Sequence, residues 1–191
     1  MSQKIGTAVV ALWIGAVGGL AGQTPVAVPS GSTGGFNSRF IPPEILSRMM
    51  ERPSELPASV TVVAPRDSAW KALSEVLKGF DIAVSYSDPA AGEIGTIKSK
   101  IMRRLGKEPL SSYLRCGEGL TGPNADSYVV YLSLAGFVKP AADGQTTIAT
   151  LLTAQAIDLP NGRNDVMDCT TTGRLESKIG KAVQIRLALQ Q

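Results

Sequence analysis

The chain has 191 residues, 43% of them hydrophobic and only 5% aromatic, with 19 basic against 16 acidic side chains. That length suits one domain plus extra segments, and a net charge of +3 does not supply the concentrated basic face that nucleic-acid binding needs. Histidine is absent, which excludes Ser-His-Asp and Cys-His catalysis, His-bearing zinc sites, and imidazole ligation of haem iron or of a chlorophyll magnesium. Carboxylates and lysine remain for a catalyst, but the usual general base is missing, so no enzyme and no cofactor is expected.

Met1–Lys4 is a short polar start with one positive charge, and the stretch Ile5–Gly22 then carries no charged residue. This pattern fits an export signal, with Gly19-Leu20-Ala21 as a small-residue cleavage site. The rival reading is a retained signal anchor containing Trp13. Eighteen residues are near the lower limit for crossing a bilayer, and Gly15, Gly18 and Gly19 weaken a lone helix while permitting close helix packing. Residues 1–22 are thus a signal peptide or anchor, and the chain is expected in the periplasm, attached to the inner membrane or to a complex within it.

Residues 23–57 read as an extended linker, with six of the chain's twelve prolines and the run Ser30–Gly35. One island interrupts it. Pro43 at a first helical position and Glu44 in the first turn predict a short helix. Ile45, Leu46, Met49 and Met50 are expected to share one face, preceded by Phe40. That face either packs back on its own domain or docks on a partner.

The folded domain is placed at 58–191. Ser59–Ala64 reads as a strand, and Asp67 is expected to cap a helix reaching Lys78, with Trp70, Leu73, Val76, Leu77 and Phe80 as the apolar stripe and Gly79 as the stop. Asp81–Ser87 and Glu93–Met102 read as strands. Ser127–Lys139 and Thr146–Leu159 form a long hairpin around the turn 140–145. Its first strand is apolar on both faces, and in its second Ile148, Leu152 and Ala154 alternate with Thr147, Thr153 and Gln155. A final helix covers Arg174–Leu189. The order predicts an α+β fold: a mainly antiparallel sheet of about five strands with two helices on one face.

Cys116 and Cys169 are the only cysteines and flank the hairpin. In an exported protein they are expected to pair, closing a 53-residue loop worth about 4 kcal/mol on the chain-entropy model. Lys98, Lys100, Arg103, Arg104 and Lys107 form the one basic cluster. It reads either as a positive stripe for an acidic partner or as a charged edge strand that blocks aggregation. The glycine-rich run Gly117–Asp126 lacks the Lys-Ser/Thr ending of a phosphate loop. Asp158, Asn161, Asn164, Asp165 and Asp168 do not have EF-hand spacing. Ser68-Ala69-Trp70-Lys71 matches the Ser-x-x-Lys pattern of penicillin-binding enzymes without its Lys-Thr-Gly companion.

Three segments, Ser112-Tyr113-Leu114-Arg115-Cys116-Gly117, Thr121-Gly122-Pro123-Asn124-Ala125-Asp126-Ser127-Tyr128 and Cys169-Thr170-Thr171-Thr172-Gly173-Arg174-Leu175-Glu176, together with the Trp70 helix, resemble an uncharacterised family of exported bacterial α+β domains over about residues 58–190. The order of elements is also similar to the small envelope lipoprotein domains of outer-membrane assembly machinery, whose lipid-acceptor cysteine this chain lacks. The resemblance implies a fold and no activity. Phototrophs are among the bacteria with such domains, so it also implies, as one specific candidate, an extrinsic subunit of a reaction-centre and light-harvesting complex.

The first expectation is therefore a non-catalytic accessory subunit docked on membrane protein subunits. Its partner-binding residues are taken as Trp13, Phe40, Ile45, Leu46, Met49, Met50, Lys98, Lys100, Arg103 and Arg104, with membrane contact through residues 5–22 if they are retained. The second is a free periplasmic module holding a small or lipid-like ligand between sheet and helices, which would require a large apolar pocket. Neither expectation includes nucleic acid, a cofactor or a metal.

Overall fold

A computed structural model describes residues 38–50, 58–159, 162 and 165–190. The apolar N-terminal stretch with Trp13, the Ser30–Gly35 run, residues 51–57, Asn161 and Asn164 lie outside the described residues. In chain order the elements are α1 (Pro43–Met50), β1 (Ser59–Val62), α2 (Arg66–Gly79), β2 (Tyr86–Asp88) and β3 (Glu93–Met102). A small hairpin of β4 (Arg104–Leu105) and β5 (Glu108–Pro109) leads through a single 3-10 turn to β6 (Leu114–Arg115). A second small hairpin, β7 (Glu118–Gly119) with β8 (Gly122–Pro123), opens into the one-turn α3 (Asn124–Ser127). The long hairpin follows as β9 (Val129–Pro140) and β10 (Thr146–Ile157), then β11 (Val166–Thr171) and α4 (Arg174–Ala188).

The main sheet has seven strands in the order β2-β3-β9-β10-β11-β6, with β1 also on β10, and its pairings are antiparallel. The architecture is α+β, as the element order implies, but the sheet has two strands more than the five expected, β6 and β11. Strand β10 pairs with β9 along its whole length, while its other edge is shared. Ser59–Val62 pairs with the first half and Val166–Cys169 with the second.

One face of the sheet is packed by α2 and α4. Leu132, Leu134 and Val138 of β9 and Ile148 and Leu152 of β10 meet Leu73 and Leu77 of α2 and Ile179 and Val183 of α4 in one buried cluster. Gly136 and Gly180 permit this approach: a methyl on Gly136 would press on Leu73 and Ile94, and one on Gly180 on Val60. The core differs from expectation in that Trp70 and Phe80 are only partly buried, while Ala69 and Ala72 take inner positions.

The ends of α2 also differ from the expected caps. Pro65 is the N-cap residue and makes no side-chain cap bond, and Asp67 lies within the first turn, where the helix dipole favours its charge. Gly79 is still helical. The chain reverses at Asp81, which holds the left-handed conformation at φ 58°, with Asp81 N–H donating to the Lys78 carbonyl and Ile82 N–H to that of Leu77.

The other face is crossed by residues 38–50, which belong to the same compact unit as the sheet, Phe36–Gln191. Ile41, Leu46 and Met49 are buried there against Ala135 and Phe137 of β9 and Ala149 and Leu151 of β10. Cys116 and Cys169 form a disulfide with Cα atoms 4.3 Å apart. No helix among the described residues is long and apolar enough to cross a membrane.

Candidate functional site

The segment 38–50 is held to the sheet from end to end. Ser38 Oγ donates to Glu93 Oε2 at 2.8 Å and accepts from the backbone N–H groups of Phe40 and Ile41. Arg39 pairs with Asp88 at 3.5 Å on β2, and the Phe40 ring stacks on Tyr86. At the other end Arg48 Nη1 donates to Asp168 Oδ1 at 3.2 Å on β11. The segment thus runs as a strap across the face, from β2 to β11. Burial, and next the nearby carboxylate of Glu93, push the Tyr86 phenol far above its ordinary value, so it stays neutral beneath the strap.

The strap covers half of this face. The strand register defines what it leaves. Lys100, Tyr131, Gln155 and Asp168 stand in one row across β3, β9, β10 and β11. Met102, Val129, Ile157 and Val166 form the next row outward. Met102 is 48% and Val166 56% exposed, unusual for large apolar side chains on a sheet. Between the polar row and the strap lies a hollow of about 170 Å³ lined by Glu44, Ile45 and Arg48 of α1 and by Lys98, Tyr131, Ser133, Thr153, Ala154 and Gln155 of the sheet.

Lys98 reaches this hollow through a bulge. The β3–β9 register shifts between Thr96 and Ser99, Lys98 takes φ 49°, and its N–H donates to Ser133 Oγ at 2.9 Å. A non-glycine residue held in that conformation carries a strain of order 1–3 kcal/mol, and bulges re-aim side chains. Gln155 Nε2 donates at 2.9 Å to the same Asp168 oxygen that accepts from Arg48.

The residues expected to bind a partner therefore divide. Leu46 and Met49 are buried under the strap, so they are already covered. The expected single face of Ile45, Leu46, Met49 and Met50 is split, because Ile41, Leu46 and Met49 form the sheet-facing line while Met50 is exposed and Ile45 flanks the hollow. Phe40 is committed to Tyr86. Lys98 and Lys100 lie on the open half, and Arg103 and Arg104 lie past Met102 at the turn into β4, where the Arg104 guanidinium bonds the Lys107 carbonyl. Arg48, Tyr131, Ser133, Thr153, Gln155 and Asp168 were not singled out from sequence. The equal parity of Tyr131 with Ser133 and of Thr153 with Gln155 was the available signal.

The three sequence segments of the resemblance meet elsewhere, around the disulfide. Ser111 N–H and Oγ both donate to the Asp126 carboxylate, at 2.8 and 2.6 Å. Asn124 Nδ2 donates to the Cys116 carbonyl, and Thr172 Oγ1 to the Ser112 and Tyr113 carbonyls. Thr171 Oγ1 reaches both oxygens of the buried Glu176 at 3.0 Å. These bonds hold the loops together, while the buried Asn124 Oδ1 has no hydrogen-bond partner among the described residues. Beside this corner Lys178 bonds Glu108 and stands 5.7 Å over the Tyr113 ring. The hydrogen bond from Lys178 holds the Glu108 carboxyl below its ordinary value, and Glu108 raises Lys178 in turn. Among the described residues, no group of three or more cysteines and carboxylates is placed to hold a metal.

No protein-family model matches this chain, and comparison with curated proteins gives no match.

Proposed function

We propose that the chain is a non-catalytic accessory subunit of the bacterial periplasm that docks on a membrane protein complex through the open half of its sheet. The observation that carries this reading is the pair of rows beside the strap, one polar and one apolar with Met102 and Val166 exposed at its two ends, on a sheet whose other face is packed by α2 and α4. A polar row bordering apolar side chains has the composition of a protein-binding patch. The disulfide accords with an oxidising compartment. The photosynthetic reaction-centre complex is the specific partner named by the resemblance alone.

A ligand module holding a lipid between sheet and helices is the weaker reading. Leu73, Leu77, Leu132, Leu134 and Ile179 are buried in that layer and fill it. The deciding experiment solubilises native membranes in mild detergent, separates them by size, and reads the intact mass of this chain with its co-migrating species. Co-migration with a large complex is expected. A free monomer throughout would sink the proposal.

A further inference from the structure

We propose that the hollow between α1 and the sheet is a carboxylate pocket that receives an acidic side chain from an extended segment of the partner protein. The inference rests on the docking reading above and adds the chemistry that the face selects. Arg48 and Glu44 of α1 and Lys98 of β3 line the hollow, and Lys100 stands next to it in the row with Tyr131. Arg48 is paired with Asp168, so Lys98 and Lys100 are the cations left for an incoming group. No ion pair involves Lys98 or Lys100 among the described residues. Tyr131, Ser133 and Thr153 add hydroxyls, and Ser133 already accepts from Lys98 N–H, which leaves its own proton to donate. Cation and hydroxyl donors around one small space suit an acceptor-only anion.

The fold itself displays such a group in place. Asp168 Oδ1 accepts from both Arg48 and Gln155 at the rim, showing that this wall binds carboxylate. The hollow's volume of about 170 Å³ falls below the roughly 300 Å³ at which small-molecule sites begin, and it fits one side chain better than a free ligand. The backbone strain at Lys98 has no packing return, since its side chain is exposed, yet the bulge brings its backbone N–H to Ser133 Oγ and sets Lys98 in the lining of the hollow. The apolar row of Met102, Val129, Ile157 and Val166 lies one strand step past Tyr131. An extended segment advances about 6.6 Å every two residues, so the face selects an acidic residue followed two to four positions later by an apolar one.

The test uses the full chain and isothermal titration at low salt with a blocked pentapeptide alternating glutamate and valine, its lysine-for-glutamate counterpart, and glutarate. The glutamate peptide should bind saturably and the lysine peptide should not. Lys98→Gly, which suits the left-handed backbone and removes the whole side chain, and Lys98→Gln, which removes the charge, should each weaken binding about tenfold. Lys181→Gln, on the helix-covered side, should leave it unchanged. Absence of saturable binding, equal affinity of wild type and Lys98→Gly, or an equal loss in Lys181→Gln would overturn the pocket. Glutarate binding as tightly as the peptide would also overturn it, assigning the site to a free small acid. Membrane co-migration separates the two readings: a complex that persists in Lys98→Gly rejects the pocket and keeps the docking function. Peptide binding by a chain that never co-migrates rejects the docking function and keeps the pocket.

Discussion

Phe40 stacks on Tyr86 with ring centroids 4.8 Å apart and planes 18° from parallel, and this pair pins the strap to the edge of the sheet nearest β2. Tyr86 in turn lies over Gly95, where a side chain would collide with the Tyr86 hydroxyl and the Leu134 carbonyl. Strap, tyrosine and glycine therefore stand or fall together.

Met49 is the strap's deepest anchor, with no exposed surface. Met49→Ala should cost about 2–5 kcal/mol if the strap stays down over the cavity. If the strap lifts instead, the loss is smaller and Arg48 becomes an early site of tryptic cleavage. Urea denaturation run beside limited proteolysis distinguishes the two, and an unchanged midpoint with unchanged cleavage would remove the strap from the fold.

Gly95→Ala should destabilise by about 3 kcal/mol, the upper end of ordinary overpacking, because one obstacle is backbone rather than a movable side chain. Gly180→Ala meets only Val60 and gains helix propensity of about 1 kcal/mol. Its net loss should be visibly less. Thermal melts of the two variants side by side check the order.

The Glu108–Lys178 pair predicts a pH response at both ends. Glu108 is lowered, chiefly by the hydrogen bond from Lys178, so its contribution is present above the ordinary value of 4.5 and is lost as pH falls through its folded value. Lys178 is raised, chiefly by the same bond, so its contribution is present below 10.5 and is lost as pH rises through its folded value. Both groups are solvent-accessible and the effects are small. Lys178→Met should flatten the acid limb of the stability profile, and Glu108→Gln the alkaline limb. A wild-type acid limb in either variant would contradict the coupling.

Replacing both cysteines by serine should cost about 4 kcal/mol on the chain-entropy account of a 53-residue loop. Denaturation midpoints of the wild type with and without reductant provide the independent measure, since reduction should reproduce the double variant.

The parts of the fold that were legible share a strong period or a strong stop. The β9–β10 hairpin, α2 and α4 were found to within a few residues because their apolar positions repeat over ten or more residues. β11 was missed because Val166-Met167-Asp168-Cys169 is short and follows a run rich in Asp and Asn that reads as turn chemistry. It becomes a strand by pairing with β10, a tertiary cause invisible in six residues. The strap helix was visible, but its inner line was not, since a helix of two turns lets several faces look equally apolar. Lys98 and Lys100 stood out as charge, whereas the hydroxyl and amide partners that give the hollow its chemistry came together only through register.

The disulfide encloses the hairpin, because both long strands and the exposed turn around Asp143 lie between Cys116 and Cys169. A protease that nicks this turn therefore cannot part the molecule. The two fragments stay joined, each contributing one strand to the same central ladder, and run as a single band until a reductant is added. The loop tip is thus a place where the domain can be cut, or a tag inserted, while both halves of its central sheet remain on one covalent body.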